Sequence, residues 1–436
     1  MTVGLISIGR SSKRLQRPID TLQASDVSER YGGRTMTLGV VNEIDFDTFH
    51  SETVQGFLRD GRGAAAARSM PVGRSISFVV DDSAWTYRSN GNDFEVCEGR
   101  SPGLTAVLSR ESFSDLVNET WSVFGLLYGG RVVLENGTFE HLVAWEPVLQ
   151  SLWFDRPIYE LTESSLFVSR SGTPLRLDQS FVLSDDVEEM SHFLATCGYL
   201  VLRDVFSADE VAEMNRVVER EKATSSPDDK RSWWAKDSEG NEVCCRVTYL
   251  AERDQVFADL AGDERLMLVA SLAGVPLRSC PDRLDGLGVV IKNPSVVEGL
   301  SDLPWHRDCG MGGHFILCPG LNIGVQLDEA SAENGQLWFL AGSHHHAAQS
   351  LDMSQIDGLP VVAVDARPGD VTVHFGHVLH AAPPPSSPTA NRKAVYVGFH
   401  VPELFDVVGP GQAYNDVLFT HGDGRVRSVG EASHER

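Results

Sequence analysis

Hydrophobic periodicity divides the chain into a strand-and-helix stretch, a polar junction and a longer strand-rich stretch. Residues 1–40 carry scattered Ser, Arg and Gly without a period and read as a lead-in. From 41 to 160 the pattern becomes regular. Apolar or alternating runs at 75–82, 85–88, 94–98 and 104–108, with turn chemistry at 89–93, predict four strands. The last runs into a helix announced by Ser109, with Glu111 in its first turn. A short strand with an Asn-Gly turn follows at 129–137. Apolar positions Phe139, Leu142, Val143, Val148, Leu149 and Leu152 then predict a helix that Pro147 kinks or divides. Residues 161–180 form the expected linker.

The second unit, 181–436, opens with a helix from Ser184 whose first turn is acidic, complementing the helix dipole. A strand at 198–206 follows. Ser207 and Glu210 then form a capping box for a helix running to about Ala223. Residues 224–245 are polar and read as a loop, yet contain Trp233 and Trp234. A paired tryptophan is costly to leave in water. It packs back on its own domain, or it serves as a substrate lid or a contact with the first unit. A helix near 254–273 precedes a buried strand at 287–294. Short apolar runs at 316–318, 321–327, 335–340, 361–364, 371–375 and 394–400, broken by Gly, Pro and Asp, predict a barrel or two-sheet jelly roll. The tail beyond about residue 405 reads as irregular.

Composition narrows the partners more than the fold. Apolar content of 42% and charged content of 22% are ordinary for a globular protein, and 436 residues favour two domains. A net charge of -24 argues against nucleic acid and against an acidic membrane surface. The seven cysteines follow no CxxC spacing and read as reduced thiols. The N-terminus lacks a basic region and a long apolar core, and no run approaches a membrane span, so the expected location is the cytoplasm.

The chemistry concentrates at Trp305-His306-Arg307-Asp308. In an extended strand, residues two apart share a face, so His306 and Asp308 point one imidazole and one carboxylate at one place. Two histidines and a carboxylate on one side of an open metal form the non-heme Fe(II) oxygenase arrangement. The third ligand expected is His380, brought by a strand that faces the first across the barrel. His374 would share its face but lies six residues earlier, roughly 20 Å along an extended strand, which places it in the core or behind the ligands. His377 falls on the opposite face, and His344 to His346 read as a surface turn. Arg392, twelve residues after His380, would grip the far carboxylate of a chelating dicarboxylate cosubstrate with its guanidinium fork.

The run from Gly198 to Phe399 resembles the phytanoyl-CoA dioxygenase (PhyH) family of Fe(II)/2-oxoglutarate oxygenases. The matching pieces are Trp305 to Asp308, Glu333 to Leu337, Ala341 to His344, Pro368 to Val371, the histidines 374 and 380, and Arg392. The resemblance implies a double-stranded β-helix (jelly roll, cupin-like) with flanking helices. It also implies iron held by His306, Asp308 and His380, and 2-oxoglutarate held by Arg392, with Lys292 and Trp338 lining the cosubstrate pocket. Fe(II), 2-oxoglutarate and O2 would then be required, and succinate and CO2 released. Where many relatives carry Gly-Ser or Gly-Ala after the distal histidine, this chain has Ala381-Ala382-Pro383-Pro384-Pro385, which removes a hydroxyl and stiffens the loop. Related halogenases replace the carboxylate with a small residue to admit chloride, so Asp308 implies oxygenation or desaturation.

The element order over roughly residues 45–155 resembles the sterol-carrier-protein-2-like fold, which implies an apolar tunnel; a filled α+β core has the same composition. The expected fold is therefore an α+β unit followed by a mainly-β jelly roll. The expected substrate is a lipophilic small molecule such as a lipid, terpenoid or other secondary metabolite. The first unit would present it or pair two copies as a homodimer, and Trp233 and Trp234 would touch it. Two alternatives stand beside this reading: a lipid-binding protein with a silent oxygenase half, and a cupin-type metalloenzyme that uses no 2-oxoglutarate.

Overall fold

The computed structural model describes residues 43–159, 167–294, 296, 303–310, 318–348, 358–387, 389, 391–402 and 404–407. The lead-in at 1–40, most of the strand expected at 316–318 and the tail beyond 407 lie outside them.

The first unit is a five-stranded sheet of order β3-β2-β1-β4-β5, built from β1 (Ser75–Val80), β2 (Ser83–Ser89), β3 (Phe94–Glu98), β4 (Leu104–Leu108) and β5 (Val132–Glu135). Neighbours are antiparallel except β1 and β4, which run parallel. One long helix, α1, runs through Phe46–Thr48, Phe49–Val54 and Gln55–Arg59, followed by α2 (Arg62–Ala67). The Ser109 hydroxyl accepts from the Ser112 amide and starts α3 (Arg110–Val117), and Ser122 does the same for α4 (Val123–Tyr128). The helix expected over 139–152 is two helices, α5 (Phe139–Val143) and α6 (Glu146–Phe154). Pro147 lies in the first turn of α6, where no amide donor is needed, so it begins a helix rather than bending one. Between sheet and helices the space is occupied by rings: Phe49, His50, Tyr87, Phe113 and Trp153 pack with centroids 5.4 to 6.5 Å apart. Of the two readings of this composition, these rings form a filled core.

In the second unit, Asp186 caps α7 (Val187–Cys197), and the Ser207/Glu210 capping box starts α8 (Ala208–Thr224). The helix expected near 254–273 breaks into α9 (Gln255–Leu260) and α10 (Glu264–Ser271), because Asp254 and Asp263 each cap a separate start. The polar stretch expected as a loop is a hairpin of β7 (Ser232–Lys236) and β8 (Glu242–Val247). Asp237 accepts the Glu239 and Asn241 amides across its turn, a local bond pattern that polarity alone does not reveal.

The remaining strands are β6 (Tyr199–Leu202), β9 (Arg278–Ser279), β10 (Leu287–Lys292), β11 (Leu303–His306), β12 (Leu321–Gln326), β13 (Leu337–Leu340), β14 (Val361–Val364), β15 (Val371–Phe375), β16 (His380–Ala382) and β17 (Arg392–His400). The major sheet has the order β6-β15-β12-β17-β10-β8-β7, with β9 on β17, and the minor sheet is β11-β16-β13-β14. This is the mostly-β, two-sheet jelly roll of the cupin-like class. The outer face of the major sheet presents Val289, Ile291, Ile323, Val325, Val373, Val395 and Val397 to Phe193, Val217, Val218, Phe257 and Val269 of the helices. Opposed pairs on the other face, Lys292 with Arg392, Gly288 with Tyr396, and Asn322 with both Gly398 and His374, look into the barrel. Among the described residues, no helix is long and apolar enough to cross a membrane.

Three buried histidines make this fold acid-sensitive. Burial pushes His50 down to about 4 and His377 to about 3, and holds His344 well below the ordinary 6.5. They are neutral in the fold and protonate first in the unfolded chain. Their contribution is complete above 6.5 and is lost as pH falls toward the folded values, at about 1.4 kcal/mol per group per pH unit. The urea midpoint is expected to drop steeply between about pH 7 and about pH 5; a flat profile would contradict the neutral burial of these rings.

Candidate metal centre

His306 ends β11 and pairs directly with His380, the first residue of β16. The two histidines are therefore neighbours in one sheet. This corrects the expectation that His380 arrives from a strand across the barrel. A cross-strand pair already holds its side chains close, and the ring centroids are 4.3 Å apart. Asp308 lies beyond the end of β11, in a turn fixed by two amides, those of Asp308 and Cys309, which both donate to Gly376 O at 2.8 and 2.9 Å. One ligand atom from each of His306, Asp308 and His380 falls within 4.8 Å of the others. The Asp308 carboxylate lies 3.5 Å from Nε2 of each histidine.

Their protonation suits a cation. Nδ1 of His306 donates to Pro304 O at 2.7 Å, and Nδ1 of His380 to Val378 O at 3.0 Å, so each Nε2 turns a lone pair toward the cluster. Burial drives His380 down to about 3, against the opposing pull of Asp308, and keeps the ring neutral. Burial works to raise Asp308, but its closeness to His380, His306 and His374 outweighs it and holds the carboxyl well below its ordinary value. Two imidazoles and one carboxylate fit Fe(II) in donor type.

Two side chains hold Asp308: Asn322, which the sequence pattern missed, and His374, which it placed in the core or behind the ligands. Asn322 Nδ2 donates to Asp308 Oδ2 at 2.6 Å, and His374 Nε2 lies 3.2 Å from the same oxygen. His374 is thus beside the ligands, 4.6 Å from the His380 ring, and not 20 Å away. The six residues between them are not one strand: β15 stops at Phe375, the chain turns, and β16 restarts at His380. The signal for Asn322 was a polar side chain near the start of the apolar run of β12. His377 points elsewhere and packs on Phe375 and His344, and the latter is buried rather than part of a surface turn.

A cavity of about 160 Å³ opens over the cluster. Arg392 and Lys292 both line it and both are almost fully buried. Arg392 Nη1 donates to Gly335 O and Nη2 to Tyr396 Oη at 3.2 Å, while its buried Nε has no partner among the described residues. An unmatched guanidinium edge in the cavity wall fits a carboxylate. Tyr396, also missed, lies over Gly324, where a Cβ would come within 2.7 Å of its ring and 2.8 Å of Thr372 Oγ1. Lys292 Nζ donates to Pro383 O at 2.7 Å and to Ala382 O.

Three expected side chains do not line the cavity. Leu337 lines it, and Trp338, one residue on, packs on the other face of β13 with Trp305, Leu340 and Leu379. Trp233 is fully buried with Ala235, Cys245 and Val296, and Trp234 Nε1 donates to Ser232 Oγ at 2.8 Å. Trp233 instead backs Arg246, whose guanidinium stacks 4.7 Å from its ring, pairs with Asp285 at 2.9 Å and does line the cavity.

Residues 195–394 are matched by the sequence profile of the family described as phytanoyl-CoA dioxygenase (PhyH). No curated protein is matched. Among solved structures, AviO1 from Streptomyces viridochromogenes Tue57 is 24% identical over 50% of this chain and 96% of its own, with a TM-score of 0.41. EctD from S. alaskensis is 22% identical over 52% of this chain and 82% of its own, with a TM-score of 0.42. The non-heme alpha ketoglutarate dependent epimerase SnoN from nogalamycin biosynthesis is 23% identical over 49% of this chain and 82% of its own, with a TM-score of 0.39. Likenesses this distant assign no reaction to the chain.

Proposed function

We propose that this chain, a 2-oxoglutarate-dependent iron dioxygenase by its 195–394 domain, hydroxylates or desaturates a lipophilic small molecule. His306, Asp308 and His380 would hold Fe(II), and Arg392 the distal carboxylate of 2-oxoglutarate. The observation that carries this is the convergence of two imidazole nitrogens and a carboxylate at the cavity whose wall holds the unmatched edge of Arg392. When bound, iron with 2-oxoglutarate and O2 supplies the oxidation of an unactivated C–H bond, with release of succinate and CO2. The chain's own part is placement. Asn322 and His374 orient Asp308, Tyr396 and Gly335 orient Arg392, and Leu284, Val290, Leu303 and Leu337 give the cavity apolar walls that exclude water. Those walls support a lipophilic substrate, and Asp308 fills the place a chloride would need. The working division is a unit at 41–160 joined through 161–180 to the catalytic unit at 181–436.

The test is succinate formation by the full chain with Fe(II), 2-oxoglutarate and panels of apolar and charged compounds. Stimulation by apolar compounds supports the reading. Stimulation by charged compounds alone overturns the substrate class, and no consumption of 2-oxoglutarate under any condition overturns the reaction. Asn322→Ala, which removes one of the two groups on Asp308 Oδ2, is expected to weaken metal affinity and kcat/KM by about tenfold or more. Values within about twofold of the parent would remove Asn322 from the site.

A further inference from the structure

The turn that carries Asp308 is held from two sides. From the jelly roll, Gly376 O accepts the Asp308 and Cys309 amides. From the first unit, the Ser122 amide donates to Gly310 O at 2.8 Å and the Ser122 hydroxyl at 3.1 Å. That hydroxyl also accepts from the Gly125 amide at 2.9 Å, so the start of α4 and Gly310 share one hydrogen-bond set. The approach is close: a Cβ on Gly125 would lie 2.2 Å from Gly310 O. Backbone atoms cannot step aside as a flexible side chain can, so this position requires glycine.

A second contact lies beside it. Arg307, between the two ligands of its strand, spreads its guanidinium over carbonyls of His377 at 2.9 Å, His346 at 3.1 Å, Ala348 at 3.2 Å and Ser343 at 3.4 Å. It thereby ties the His306 segment to the segment that leads into His380. Among the described residues, no carboxylate of the jelly roll lines the crevice of about 20 Å³ that Arg307 faces. The acid lining that crevice is Glu146, at the start of α6, which accepts the Val123 amide of α4. The first unit thus meets the ligand turn by backbone fit at Gly310, and its Glu146 shares a crevice with Arg307. A buried guanidinium without a counter-charge would be costly.

We propose that the first unit is a positioning module for the iron ligands: Ser122 and Gly125 fix Gly310 and so the Asp308 turn. This rests on the ligand assignment above. It gives the unit a role in setting metal affinity that does not require it to carry substrate.

The test is Co(II) titration of the full chain, with the charge-transfer absorption of the anaerobic Fe(II)–2-oxoglutarate complex as a second readout. Gly125→Ala is expected to weaken Co(II) binding about tenfold and to alter the absorption band. Ser122→Ala, the milder change, is expected to weaken it about three- to fivefold, with recovery in Ser122→Thr. A lower melting temperature with Co(II) affinity unchanged in both variants would overturn the proposal, since the contact would then be structural only. If Gly125→Ala does not fold, the Ser122 pair decides by the same criterion. His306→Ala separates the two layers. If it abolishes Co(II) binding while Ser122→Ala and Gly125→Ala bind normally, the positioning role alone fails. If it binds normally, the ligand assignment fails and this proposal with it.

Discussion

His306→Ala is expected to abolish tight iron binding and all coupled turnover. The substitution leaves one imidazole, from His380, and one carboxylate, from Asp308. Loss of one of three protein ligands is expected to cost at least about 100-fold in affinity, beyond the range seen for outer-shell partners. The fold should survive, because His306 ends its strand and its Nδ1 bond is to Pro304 O in that strand. The melting temperature of the metal-free variant should stay within about 3 °C of the parent. Anaerobic Fe(II) titration and succinate release measure the two halves of this prediction. Full iron occupancy in the variant would sink the ligand assignment.

Arg392→Met is expected to raise the Kd for 2-oxoglutarate by about two orders of magnitude while leaving Co(II) affinity in its absence near the parent value. The guanidinium is almost fully buried, and its Nε has no partner among the described residues. Charge-assisted bonds from such a group are worth roughly 1.5–3 kcal/mol, and a bidentate pair is the stronger case. Lysine would restore charge without the fork, so Arg392→Lys should recover only part of the affinity. Removing the side chain also takes the donor from Gly335 O and Tyr396 Oη, and the fold should lose about 1–2 kcal/mol. Calorimetric titration of 2-oxoglutarate against Co(II)-loaded protein distinguishes these outcomes. Unchanged binding in Arg392→Met would mean that another cation grips the cosubstrate, or that none does.

Some errors of the sequence reading share one cause. Trp338 lies on the wrong face because β13 presents Leu337 to the cavity, and a phase shift of one residue exchanges the faces of a strand. His374 was displaced by treating two strands and a turn as one extended run. The tryptophan pair was read as a loop because the Asp237 turn between two strands leaves little hydrophobic alternation to see. Each is a question of which residue stands opposite which, and alternation along one strand does not answer it.

What the sequence determined by itself was local. Ser109 and the Ser207/Glu210 box set helix starts through bonds spanning three residues, and they are found where expected, whereas the helix expected from Ser184 is capped by Asp186, two residues on. His306, Asp308, His380 and Arg392 were legible because polar side chains with metal- or anion-binding chemistry are conspicuous among apolar strands. Tertiary structure alone decided how they meet. It set His380 beside His306, brought Asn322 and His374 onto one oxygen of Asp308, and laid Gly310 against Ser122 from 188 residues away. Strand register and unit docking are fixed by summed packing over many side chains, so no short window of sequence contains them.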